Sequence, residues 1–393
     1  MSIQEGANKD FNLPDKVSND TSYLRIHSID FLKGIAICII ILINLADVWI
    51  ITNSRYFYAY LVIFLDVFGT ILLIFLSSLT VIFWWKKKMG IHPDKAIRNE
   101  ILSRALILIL LGTILNLILV NDHPFPLNLW GWNILIFIGF SYIVCYYAVR
   151  LSRGVRWIIG FTLFFITTPI RELLIIGKEL HLFCAVLHFI IVSPNPEISL
   201  LPYLGVCFFS TIFGERILES MLLDNKQAYM DTFRTLIIFG FIFIGLSVYY
   251  GYNLVNEKIL DPIDYPQIRV VGILDIKGIP GFLIRGTAPN LFYGLGVALL
   301  MLGIFFYLLD FKKKNNYFVR TLCRYGNLSL TLLLIHYLSF IFFFRQLEII
   351  LFIIVWAVYM VFLGLLMFIW REYGHNIGTI EWIISQIRFK KKG

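Results

Sequence analysis

The chain has 393 residues, of which 59% are hydrophobic and only 15% charged, with a net charge of +9. Ordinary soluble domains are nearer a quarter charged, so a water-soluble globular protein is excluded. The basic residues sit in short segments between apolar runs, the pattern of membrane loops, and no nucleic acid is expected as a partner.

Residues 1–27 are polar and of mixed charge. They read as a disordered cytosolic leader with no cleavable signal peptide. Charge-poor runs follow, each long enough to cross about 30 Å of hydrocarbon as a helix. We place ten spans, at about 29–52, 58–85, 99–120, 129–150, 155–176, 200–219, 234–253, 287–310, 325–344 and 349–370. Helices satisfy their own backbone in lipid. Barrel strands would alternate apolar with polar residues, and the run at 134–140 does not. The expected fold is therefore all-α, a polytopic membrane domain over 28–373.

With the N-terminus inside, 26 of the 34 Lys and Arg fall in inner segments, which places both termini in the cytoplasm. The lipid bilayer, as a plasma membrane, is the first partner. Cys38, Cys145, Cys184, Cys207 and Cys323 show no CxxC pair and read as small apolar residues, which fits a prokaryotic membrane. Three outer segments stand out: 121–128, the half-apolar 177–199 with His181 and His188, and the Pro- and Gly-rich 254–286. The second of these reads as a re-entrant or interfacial helix or a further crossing. The basic segment 374–393 is expected to lie on the inner surface, with Trp382 and Ile383 among headgroups and its lysines on anionic lipid.

Ionisable groups in hydrocarbon are functional candidates by default. The first span carries Asp30, Lys33, Asn44 and Asp47 on one helical face. In the second, Asp66, Thr70 and Ser77 share a face. Two such stripes line a cavity or bind two helices together. His336 lies mid-span with Ser329 and Ser339 on its face, either as a general base or as a packing donor. Arg324 and Asn327 read as snorkelling residues. His123, His181 and His188 read as interface histidines without metal-ligand spacing, and no metal is expected.

Several motifs resemble a known family. Asp30, Lys33, Gly34 and Asn44 match the opening helix of transmembrane acyltransferases, which reads (V/L)D-x-x-(R/K)-G, an apolar run, then Asn. The group includes heparan-alpha-glucosaminide N-acetyltransferase-like and YeiB-like membrane proteins. Phe64-Leu65-Asp66-Val67-Phe68 is similar to its Asp-Leu-Val-Phe element, Leu201-Pro202-Tyr203-Leu204-Gly205 to its Phe-Pro-Trp-Leu-Gly element, and Gly326–His336 to its late helix ending in His. Trp132–Tyr142 and Gly378-Thr379-Ile380-Glu381-Trp382 are similar to two further elements. The family's first-hairpin histidine has no counterpart, since residues 45–65 contain no His and Ser54 and Arg55 stand there.

The resemblance implies transfer of an acyl, chiefly acetyl, group from cytosolic acyl-CoA to a sugar, glycan or lipid-linked acceptor on the outer side. In an acyltransferase of this kind His336 or a loop histidine would stand in for the missing base, with Asp66 orienting it and Asn44 donating to the oxyanion. Lys33, Asp47, Arg104 and Arg324 are the expected substrate-binding residues, and a homodimer is one expected arrangement. Two alternatives stay open: a transporter or flippase for a lipid-linked or small polar solute, and a non-catalytic relative.

Overall fold

A computed structural model describes residues 26–119, 124–192, 199–252 and 279–386. Nearly all of the leader, His123, most of the 254–286 segment and the terminal lysines lie outside the described residues. Within them the chain is helical, with isolated bridges and no strand. The helices are α1 His27–Trp49, α2 Arg55–Leu65, α3 Thr70–Lys88, α4 Asp94–Leu119, α5 Ile134–Ala148, α6 Arg153–Gly177 and α7 Leu182–Ile191. They continue with α8 Leu200–Leu223, α9 Lys226–Gly251, α10 Ala288–Phe305, α11 Tyr317–Asn327, α12 Ser329–Leu338, α13 Ile349–Glu372 and α14 Ile380–Gln386.

Among the described residues, 7 helical segments are long and apolar enough to cross a membrane: α1, α2 with α3, α4, α6, α9, α10 with its π-turn, and α13. Their outward faces are as apolar as their inward ones. Ile158, Phe241, Ile350 and Val361 are each more than 60% exposed, which is compatible with a membrane protein and hostile to water. Only 17% of the most apolar stretch of α13 is buried, so α13 stands at the periphery. α1 is central, with Leu32, Ala36, Ile37, Ile41, Leu45 and Ala46 fully enclosed.

The bundle has a lysine-rich end, where α1 begins and α3 finishes in Lys86, Lys87 and Lys88. At this end α1 lacks a capping side chain of its own. Asp310 supplies the cap, accepting from the backbone N–H of His27 at 2.7 Å and of Ser28 at 3.1 Å. At the other end, the N–H groups of Arg345 and Leu347 donate to the carbonyls of Val48 and Trp49 at 2.9 Å each. The orphan groups of both α1 termini are thus met by distant segments.

Two expected elements differ, and a third follows the first of its two readings. The second span is two helices, α2 and α3, separated by a 3-10 turn at Asp66–Phe68 and by Gly69 at φ −100°, ψ −96°. That break ends the continuous stripe expected through Asp66, Thr70 and Ser77. The 325–344 span is also broken. Leu328, at φ −115°, ψ 28°, separates α11 from α12. The outer 177–199 segment holds α7, whose 10 residues are too few to cross hydrocarbon. Trp130 and Trp132 donate their indole N–H to the carbonyls of Phe189 and Ile190 at its C-terminus.

α11 crosses α1 so closely that two glycines are required. A Cβ at Gly326 would meet the Asp30 carbonyl oxygen at 1.8 Å, and one at Gly34 the Leu322 oxygen at 2.0 Å. Both neighbours are backbone and cannot yield as a side chain would. Gly326→Ala is expected to lower stability by about 1–3 kcal/mol, read as a fall in thermal midpoint in detergent. Gly245→Ala, where nothing lies within 4 Å of the added carbon, serves as control and should not fall. Equal midpoints for the two variants would refute the crossing.

Candidate functional site

α12 runs alongside the second half of α1 and brings His336 to Asn44. Asn44 Nδ2 lies 3.1 Å from His336 Nε2. His336 is 0% exposed, its ring 4.1 Å from that of Tyr337 and edge-on to Phe340. An amide nitrogen has no lone pair to offer, so Nε2 accepts, and a neutral imidazole then carries its proton on Nδ1. That nitrogen faces the backbone of Leu332 and Leu333 and makes no well-formed hydrogen bond among the described residues. One turn further on, Ser339 shares a hydrogen bond with the Tyr359 hydroxyl, and its carbonyl accepts from the Trp49 indole at 3.2 Å. Two of the three residues expected to do chemistry are therefore in contact.

The third is placed elsewhere. Asp66 Oδ2 lies 3.0 Å from Nε of Arg285, and Thr70 donates to Oδ1 at 3.1 Å. Arg285 also reaches Thr70 Oγ1 at 3.1 Å. The pair is nearly enclosed, with side-chain exposures of 11% and 7%. Asp66 therefore neutralises Arg285 and does not orient His336. A buried carboxylate takes the nearest cation, and the loop before α10 delivers one.

The expected substrate-binding residues divide between the two ends of the bundle. At the lysine-rich end, Arg104 lines a cavity of about 310 Å³ with Asp30, Thr80, Lys87, Tyr142 and Trp84. Arg104 also holds Glu100 at 2.9 Å and, with Lys88, flanks the Trp84 ring at 4.6 and 4.3 Å. Lys33 is within electrostatic reach of Asp30 and Glu381. Arg324 lines a separate groove of about 950 Å³ with Asn327, Leu328, Arg371, His375 and Glu381. Asp47 is at the opposite end. It pairs with Arg55 at 2.7 Å and lies 4.0 Å from Arg345. Burial and the neighbouring Arg55 push the Arg345 guanidinium below its ordinary value.

The C-terminal segment is docked in the protein, where a surface helix was expected. Glu381 Oε1 accepts from the N–H groups of Leu330 and Thr331 at 2.8 and 3.2 Å, and Thr331 Oγ1 accepts from Ile380 N at 2.9 Å. Ile380 and Ile384 are buried, and Trp382 lines the Arg324 groove. Glu381 thus caps the N-terminus that the break at Leu328 creates inside the bundle, where the helix dipole favours a carboxylate. The described part of 374–393 belongs to the same packed unit as the rest.

Sequence reasoning passed over Arg285, Arg55, Arg345 and Glu381. An arginine only three residues before the apolar run of α10, at the end of a Pro- and Gly-rich segment, was the available signal for Arg285. Among the described residues, no group of three His, Cys, Asp or Glu side chains is placed to hold a metal ion. No protein-family model matches the chain, and no curated protein matches it.

Burial raises the Glu381 carboxyl above its ordinary value, against the lowering effect of Thr331 and the two backbone N–H groups. A raised acid binds more protons folded than unfolded just above the usual carboxylate range. The stability it contributes is present below that range and lost as pH rises through the raised value. The thermal midpoint of the detergent-solubilised protein should therefore fall over that window, and Glu381→Gln should flatten the fall. An unaltered pH slope in the variant would contradict the assignment.

Proposed function

We propose that the protein is a membrane-embedded acyltransferase with His336 as general base. The observation that carries the reading is the contact of His336 Nε2 with Asn44, buried between two polar ends. An isolated imidazole in hydrocarbon serves packing. One whose second nitrogen meets an amide donor, on a helix whose foot opens on a cationic groove, has the parts for acyl transfer.

The bundle reads as ten crossings: the 7 long segments together with α5, α8 and the α11–α12 pair. Both termini are in the cytoplasm, and the membrane is a prokaryotic plasma membrane. The lysine-rich end then faces acyl-CoA. Arg324 and Arg371 in the larger groove, and Lys87 and Arg104 at the smaller cavity, are the cations for its phosphates. Ser329, at the foot of α12, stands about 10 Å from His336 along the helix.

The acceptor hydroxyl or amine displaces the Asn44 amide from Nε2. Nε2 takes its proton as the oxygen or nitrogen attacks the thioester carbon. The freed Asn44 Nδ2 donates to the carbonyl oxygen as it gains charge. The C–S bond breaks, and the CoA thiolate leaves and recovers the proton from the imidazolium. Asp66, held by Arg285, takes no part.

Calorimetry with acetyl-CoA on purified protein should show micromolar binding. A transfer assay should show a loss of about 10²–10⁴ for His336→Gln and about 10² for Asn44→Ala, with unfolding midpoints retained. Asp66→Asn should behave oppositely, losing about 3–5 kcal/mol of stability through an uncompensated Arg285. Absence of binding to any acyl-CoA by folded protein, or full transfer by His336→Gln, would end this reading.

A further inference from the structure

Beyond the lysine-rich end, the bundle carries a second charged cluster, one helical turn from the His336–Asn44 pair. Asp47 follows Asn44 by three residues on α1, a rise of about 4.5 Å. Two guanidinium groups converge on its carboxylate: Arg55 at 2.7 Å, and Arg345 at 4.0 Å. Among the described residues, Asp47 is the one carboxylate within 4.0 Å of either. The cluster therefore has one positive charge in excess. It also has unused donors. Arg55 Nε and Arg345 Nη1 are shielded from solvent and have no hydrogen-bond partner. The side chains as a whole are only partly covered, at 20% and 27% exposure, so a ligand can approach the part of each that stays open.

The backbone holds Arg345 in place. Its φ is 56°, in the left-handed region that a non-glycine residue adopts at a cost. The conformation is held by Arg345 N on the Val48 carbonyl, and by Gln346 N and Leu347 N on that of Trp49. Strain of this kind persists where the surroundings over-determine it, and it concentrates at ligand clamps. A guanidinium placed only to complement the C-terminus of α1 would not need a second arginine beside it. The two repel each other, and an anion would relieve that repulsion.

We infer that Arg55 and Arg345 bind an oxyanion, a carboxylate or phosphate carried by the acceptor, with Asp47 as the competing internal anion. This deepens the acyltransferase reading and rests on it for the word acceptor; the anion site itself does not depend on acyl transfer. The acceptor class is acidic: a sugar acid, a sugar phosphate, or a phosphate-bearing lipid headgroup. Its charged group would dock on the arginines while a hydroxyl or amine one turn away meets His336.

The test is calorimetric binding of glucuronate, glucose 6-phosphate and glucose to the full chain in detergent, without acyl donor. Glucuronate or glucose 6-phosphate should saturate at least tenfold lower than glucose, with affinity falling as salt rises. Whichever binds tighter identifies carboxylate or phosphate as the natural group. Arg345→Gln should weaken that binding at least tenfold. Asp47→Asn should tighten it severalfold, because the competing carboxylate is gone; a purely structural Asp47 would give the opposite sign. Equal affinity for glucose and the two anions overturns the inference, as does weaker anion binding in a folded Asp47→Asn protein. If Asp47→Asn does not fold, an Arg345→Gln protein with undiminished anion affinity overturns it equally. Anion binding without any acyl transfer would remove the acyltransferase reading and leave the site; transfer to neutral acceptors alone would do the reverse.

Discussion

The crossing of α1 and α11 at Gly34 and Gly326 determines where the rest of the candidate machinery stands. Backbone stands against backbone there, and α11 ends one residue after Gly326. The chain turns at Leu328 and restarts as α12 along the second half of α1. Only that course brings His336 to Asn44. The turn exposes backbone N–H groups in an interior where water is scarce, and each unmet group there costs several kcal/mol. Glu381 meets two of them. The docking of the C-terminal helix is therefore a consequence of the same crossing, as is the groove that Arg324 and Trp382 line beside it.

The face of α1 was legible because helical period is a property of the backbone, and α1 is unbroken from His27 to Trp49. Asp30 and Lys33 fall at one end, Asn44 within the bundle and Asp47 at the other end, in the order the spacing implies. His336 was legible for a similar reason: a histidine amid leucines in a charge-poor run must face the protein interior. The breaks were not legible. Neither Asp66–Phe68 nor Leu328 contains proline. What stabilises them comes from far along the chain, Arg285 in one case and Glu381 in the other. The local signals are a single glycine at each break, Gly69 and Gly326, and an isolated glycine in an apolar run weakens a helix without marking its end. The role first assigned to Asp66 failed for that reason, since its partner lay in a segment read as an irregular cap.

Buried charge in this protein divides by how completely it is matched. Arg156 lies 2.7 Å from Glu215, which also receives Arg153 at 3.1 Å, in a network that ties α6 to α8. Asp66 and Arg285 are paired and almost closed off. In each case a nearly enclosed carboxylate holds a cation at short range, and removal of that carboxylate would leave the cation stranded. Such pairs specify how helices meet. The Asp47 cluster differs in being open: Arg55 and Arg345 keep 20% and 27% side-chain exposure, where Arg156 keeps 3%. The His336–Asn44 pair differs again, because both members are neutral in the enclosed state and bring no charge into the interior.

The position of that pair along α1 bears on how two substrates would reach it. Asn44 stands about 25 Å from the start of α1 and about 7 Å from its end, so His336 lies close to the arginine-bearing end. An acceptor docked at that end would need to advance by little more than a helical turn. A donor held at the lysine-rich end would have to extend a thin arm alongside α12, about 10 Å from Ser329 to His336. Acyl-CoA has that form, with charge concentrated at one end and the reactive carbonyl at the tip of a long, uncharged chain. On the proposed acyltransferase reading, the cationic groove would hold the donor's phosphates and its acyl group would make the journey. Asn44 is, on that reading, the residue both substrates would disturb, since its amide meets the imidazole nitrogen that carries no proton.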